Sequence, residues 1–261
     1  MLSLPIRFGV VRGLVRELGI SSRDERPLAV GGARELAGVL RRELSRGALP
    51  GAVRADDSPK GAAVLVYVIG HEPTAEDDAA LSQARRARVP IVAVTGNDTA
   101  VPHVLATDVI RIGPGEGFPL ERIAGVIAGR LDEDAAPLAG RIPLLRGAVV
   151  DQLVASFSRR NGIVGAAVFV PGTDMPLLTL NQIRMLLRLE QTYGLEIDLR
   201  ERLPEIAATL GIGFGLRALA RELLDLVPVG RWAVKGAVAY AGTRALGEAA
   251  VLRLESSSRG R

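Results

Sequence analysis

The sequence predicts an α/β domain followed by an all-α one, the first built on a doubly wound, mainly parallel sheet. Two observations carry this expectation. Apolar runs without alternation, at residues 62–70 and 89–94, are interleaved with amphipathic stretches, the pattern of strands covered on both faces by helices. Beyond residue 141 the apolar positions recur only at helical spacing. The expected organisation is an N-terminal amphipathic helix (1–26), the α/β domain (27–131), a linker (132–141), a helical domain (142–255) and a disordered tail (256–261).

Taken in order, residues 4–20 mix Arg7, Arg12 and Arg16 with Ile6, Phe8, Val10, Val11, Leu14, Val15 and Leu18, which suits an amphipathic helix. No small-residue cleavage site follows, so a secretory leader is not expected. Pro27 to Val30 begins the first strand. Gly31 and Gly32 turn the chain into a helix carrying Leu36, Val39, Leu40 and Leu44. Strand, glycine turn and helix is also the order of a phosphate loop, because glycines let backbone amides approach an anion. No Gly-Lys-Ser/Thr follows, so the lysine and the magnesium-binding hydroxyl are missing.

Residues 52–55 fit a short edge strand and 56–61 a turn. At 74 a helix begins in which Thr74 caps and Glu76, Asp77 and Asp78 meet the positive end of the helix dipole. Three adjacent carboxylates point to different sides of a helix, which favours that reading over a metal site. His71 follows a strand end, where active sites of such sheets lie, and His103 falls in the connection to a third strand at 108–112. Residues 118–131 read as an amphipathic helix with Leu120, Ile123, Val126, Ile127 and Leu131 inward. The acidic, proline-bearing 132–141 reads as a linker.

In the second half, Thr173 or Asp174 caps a helix in which Leu180, Ile183, Leu186, Leu187 and Tyr193 face a core and Gly194 ends it. Asn181, Arg184 and Arg188 form a polar stripe on or beside the opposite face, a surface for the α/β domain or a partner. Residues 200–226 read as a further helix, with Gly211 and Gly215 at a spacing that permits close helix contact. A final helix spans 231–254. The longest uncharged run in 200–254, Ile206 to Leu216, is eleven residues, against about twenty for a membrane span.

Composition narrows the functions. Of 261 residues 48% are apolar and 24% charged, and none is cysteine, which excludes disulfides, thiolate nucleophiles and cysteine-held zinc. The net charge is +4; residues 1–141 carry 18 basic and 18 acidic side chains, and 142–261 carry 15 and 11. Arginines alternate with glutamates and aromatics are 3%, which argues against a nucleic-acid surface.

The first half resembles a Ras-like GTPase domain in element order. Thr95-Gly96-Asn97-Asp98 stands where that family carries Asn-Lys-x-Asp, and only Asp98 matches, the residue that would hydrogen-bond the guanine base. The resemblance implies a degenerate, pseudo-GTPase domain. In the second half, Phe169-Val170-Pro171-Gly172-Thr173-Asp174, Leu180-Asn181-Gln182-Ile183-Arg184-Met185, Tyr193-Gly194, the run from Gly213 to Arg221 and Val234-Lys235-Gly236-Ala237-Val238-Ala239-Tyr240 carry a second resemblance. They are similar to a bacterial domain-of-unknown-function family, numbered 697, over roughly residues 142–255. Members of that family are often attached to GTPase domains, and some are predicted to associate with membranes.

These resemblances imply a non-catalytic regulatory or scaffold protein with no cofactor and no metal. They also imply a protein partner or self-association through the helical domain, and a cytoplasmic address with peripheral contact at the inner membrane face. The alternative expectation is a GTPase-related enzyme that binds GTP or GDP through Gly31, Gly32 and Asp98.

Overall fold

The structure is a computed structural model that describes residues 24–55, 58–98, 100–167, 175–195 and 231–259. Most of the expected N-terminal helix, the wording at 168–174 and the expected helix at 200–226 with Gly211 and Gly215 lie outside the described residues.

Five strands form one all-parallel sheet: β1 (Leu28–Gly32), β2 (Val53–Ala55), β3 (Val64–Ile69), β4 (Ile91–Thr95) and β5 (Val109–Arg111). Their spatial order is β2-β1-β3-β4-β5, with Ala29 opposite Leu65, Leu65 opposite Ile91 and Ala93 opposite Val109. Every residue of β3 and β4 is buried. That explains their unbroken apolar runs, since helices cover both faces of a central parallel strand. The expected doubly wound architecture is therefore present, in the order known from flavodoxin-type sheets, whose chain direction across the sheet reverses between β1 and β3.

The helices of this unit are α1 (Arg34–Leu44), α2 (Ala75–Arg86), α3 (Leu120–Leu131) and α4 (Ala135–Arg141). Helix α1 buries Ala37, Leu40 and Leu44, an i, i+3, i+7 face, and this leaves Leu36 and Val39 exposed at its margin. Helix α2 starts in a complete capping box: Thr74 Oγ1 accepts from the Asp77 amide at 3.2 Å, and Asp77 Oδ2 accepts from the Thr74 amide at 2.8 Å.

Residues 132–141, expected as a linker, form a 3-10 turn and then α4, in which Ala135, Ala136, Pro137, Leu138 and Ala139 are all buried. The acidic run that suggests solvated chain precedes a helix, where its charge is favourable. Further ties bind the segment to the α/β unit: Arg141 O accepts from the Leu49 amide at 2.8 Å and Arg141 Nη1 donates to Arg26 O at 3.3 Å.

The chain divides into two compact units, and the boundary falls between Val149 and Val150, inside α5 (Arg146–Ala167). The second unit contains the rest of α5, α6 (Met175–Thr192) except its last residue Thr192, which with 193–194 belongs to the α/β unit, and α7 (Arg231–Arg259). Helix α7 extends into the stretch expected to be a tail, and the hydroxyls of Ser256 and Ser257 bond back to Arg253 O. None of the described helices is long and apolar enough to cross a membrane.

Within this unit α5 and α7 run antiparallel in close contact. A methyl group on Gly162 would meet Tyr240 Cβ at 3.2 Å, one on Gly165 would meet Ala239 Cβ at 2.8 Å, and one on Gly236 would meet Gly162 O at 2.9 Å. Small residues are thus required where the two backbones approach. At the far end Gly247 admits Val154, and Met185 of α6 reaches the same point.

Candidate functional site

In a parallel sheet the loops at the carboxyl ends of the strands form the natural ligand crevice, above all where the chain direction reverses. Here that point is the β1–α1 turn, Gly31-Gly32-Ala33. Gly32 has φ +97, and a Cβ added to it would stand 2.0 Å from Val68 O of β3. The Ala33 amide donates to that same carbonyl at 2.8 Å. The glycine is therefore needed because the turn presses against the neighbouring strand, and the first amide that could meet a phosphate is used inside the sheet. Helix α1 then has no side-chain cap, and its first turn carries Arg34 and Glu35, so it presents no net charge to an anion.

The neighbouring loops are closed in the same way. Asn97 Nδ2 donates to His71 O, and the Asn97 amide donates to Thr95 Oγ1 at 3.1 Å. The Gly113 amide donates to Glu116 Oε2 at 3.0 Å. Asp98, the one residue matching the guanine motif, is fully exposed, with Oδ1 3.4 Å from Arg111 Nε. It follows β4, two strands away from β1, so about 10 Å of sheet separates it from the glycine turn. Gly31 and Gly32 are placed together, and Asp98 stands on the loop after β4.

His71 is exposed at this edge. Asp77, one of the three helix-start carboxylates, is buried and accepts from Tyr67 Oη at 2.9 Å and from Thr74 Oγ1 at 2.8 Å. That carboxylate is taken up in joining α2 to β3. Among the described residues no three His, Cys, Asp or Glu side chains converge as metal ligands.

The polar stripe of the second half is placed differently from the expectation of an open face. Asn181 Nδ2 donates at 2.9 Å to Oδ1 of Asn161, a fully buried side chain. Asn161 Nδ2 donates to Thr243 Oγ1 at 2.8 Å, and Gln182 Nε2 reaches the same oxygen at 3.2 Å. A polar layer thus crosses the bundle between its apolar ends, joining α5, α6 and α7. Arg188 is 2% exposed and donates to Gln191 Oε1 at 3.0 Å. Arg184 is half-buried. Two of the three residues serve the inside of the unit, because α6 is flanked by helices on both sides of its apolar stripe.

Among the described residues of the helical unit, three exposed large apolar side chains fall at one end, and Leu252, 68% exposed, lies toward the other. Ile163, Leu177 and Trp232 are 69%, 52% and 61% exposed. They lie next to Gly162, to Leu178 and within one turn of Gly236, the positions where the three helices meet at that end. Residues 155–167, 175–189 and 231–247 contain Arg159, Arg160, Arg184, Arg188, Arg231, Lys235 and Arg244 and no acidic residue. No protein-family model matches the chain, and neither a curated protein nor a solved structure is significantly similar to it.

Proposed function

We propose that the chain is a non-catalytic regulatory or scaffold protein, in which a degenerate GTPase-like unit accompanies a helical unit that makes the interactions. The observation that carries this reading is the β1–α1 turn. Its glycine is consumed by contact with Val68 O, its first amide is occupied, and its helix opens on Arg34 and Glu35, whose charges cancel. Phosphoryl transfer needs positioned phosphates, a metal and an oriented water, and among the described residues no metal-ligand cluster converges at this edge. The resemblance of the second half to the GTPase-associated family belongs to the same reading. Its wording from Val234 to Tyr240 packs against Gly162 and Gly165, so helix contact accounts for those residues.

Peripheral contact with an anionic membrane, at the cytoplasmic face, is the interaction that the exposed end of the bundle favours. Tryptophan beside leucine, isoleucine and cationic side chains suits the headgroup boundary, where the rings and aliphatic carbons enter and the charges remain outside. Flotation of the full chain with vesicles of anionic lipid and of neutral lipid tests it. The reading expects binding to anionic vesicles that Trp232→Glu with Leu177→Glu abolishes while the helical content is kept. Binding to neither vesicle, with a concentration-independent monomer in sedimentation, would remove both the membrane contact and self-association.

A further inference from the structure

We propose that the amino-terminal edge of the sheet, opposite the strand ends discussed above, binds a small phosphate monoester through Arg85 and Arg88. An open cleft of about 320 Å³ lies there, between the end of α2, the start of β4, the loop before β5 and the end of α3. Its size falls within the range of small-ligand pockets.

The charge of the cleft is strongly one-sided. Three guanidiniums, those of Arg85, Arg88 and Arg130, face one carboxylate, Asp108. Arg130 is already matched: its Nε lies 2.6 Å from Asp108 Oδ2, and its Nη2 donates to Thr107 Oγ1 at 3.1 Å. Arg85 and Arg88 are exposed, and their guanidiniums make no hydrogen bond or ion pair among the described residues. A dianion is the ligand that two such forks accommodate.

The backbone holds two side chains of the cleft at positions that ordinarily take glycine. Helix α2 ends in a Schellman motif, with the Arg88 amide bonded to Arg85 O and the Val89 amide to Ala84 O, both at 3.1 Å. The position after the cap is left-handed, ordinarily a glycine, and it is held by Arg88 at φ 57. His103, another residue of the cleft, has φ 64 directly after Pro102, at a turn position that also favours glycine or asparagine. The remaining described non-glycine residue with positive φ is Asp132, a type that tolerates it. Strain at two cationic or titratable positions of a single cleft is the pattern of a binding site, where side-chain chemistry is kept at the expense of local fit. Leu105, 60% exposed on the rim, offers an apolar surface for the organic part of the ester. The His103 ring is fixed by Asp78, with Nε2 3.2 Å from Oδ1.

The proposal is independent of the scaffold reading, which concerns the other edge of the sheet and the helical unit. Calorimetric titration of the full chain with phenyl phosphate, at 0.15 M salt and with phenol as the neutral comparator, tests it. Saturable millimolar or tighter binding of phenyl phosphate, and none of phenol, is expected. Arg88→Gly should weaken binding about tenfold or more, as loss of a charge-assisted hydrogen bond does. The same substitution should raise the thermal midpoint by about 2–4 °C, by relieving the cap. Arg85→Gln, which leaves the backbone alone, should also weaken binding. Absence of saturable binding, or unchanged affinity in the Arg85→Gln, Arg88→Gly double variant, would overturn the site. A lower midpoint in Arg88→Gly would overturn the argument from strain.

Discussion

Gly32 shows how one residue separates a structural role from a nucleotide role. With φ +97 and Val68 O where a Cβ would go, Gly32→Ala is expected to cost about 3 kcal/mol or more in denaturant unfolding. A glycine kept to admit a phosphate would instead tolerate alanine with little loss of stability. Asp24 and Arg26 give a second residue-scale prediction. Hydrogen bonds from the Arg26 side chain hold the Asp24 carboxyl below its ordinary range. The folded-state value is the lower of the two, so the pair stabilises above the ordinary carboxylate range and its contribution is lost as pH falls through the depressed value. The pair is half open to solvent and worth less than about 1 kcal/mol. Asp24→Asn should therefore lower the midpoint slightly at pH 7 and leave it unchanged at pH 2.

At the scale of elements, the strands and most helices were legible because each obeys one local rule. β3 and β4 are unbroken apolar runs, and α2 begins with a capping threonine and three acids. Residues 132–141 were misread because their charge was judged without the buried alanines that follow. The polar layer was not legible at all, since Asn161 meets Thr243 across 82 positions of sequence. Thr243→Val removes the acceptor that Asn161 and Gln182 share, and should cost about 1–3 kcal/mol as buried donors lose their partner. Gly165→Leu should disrupt the crossing of α5 and α7, at about 1–3 kcal/mol or more, because Ala239 Cβ already stands 2.8 Å from the position of a first methyl. Loss of helical ellipticity at lower denaturant in both variants, with none in Gly125→Ala, which helix propensity should stabilise by about 0.5–1 kcal/mol on open surface, checks the pair.

For the molecule as a whole, the distribution of charge matters more than its total. The carboxyl edge of the sheet carries Glu35, Glu72, Asp98 and Glu116 with Arg34 and Arg111, whereas the amino edge carries Arg85, Arg88 and Arg130 against Asp108, and the described bundle is cationic over most of its length. A net charge of +4 conceals this, which is why composition excluded functions better than it located them. Neither histidine nor the arginines of the amino edge form a motif, because three separate segments, 85–91, 103–108 and 130, supply that cleft. The signal that could have found it is the presence of arginine and histidine where a helix end and a proline turn call for glycine. Asp98 was singled out for a motif match and stands exposed, two strands from the glycine turn it would have to complete.

The proposed function requires that the glycine turn after β1 hold no nucleotide. Titration of the full chain with GTP, GDP and ATP in the presence of magnesium tests it most directly. The account predicts no saturable binding at the strand-end crevice, and for any weak phosphate-dependent signal it predicts loss in the Arg85→Gln, Arg88→Gly variant and persistence in Asp98→Ala. Micromolar binding of a guanine nucleotide that disappears in Asp98→Ala would contradict it.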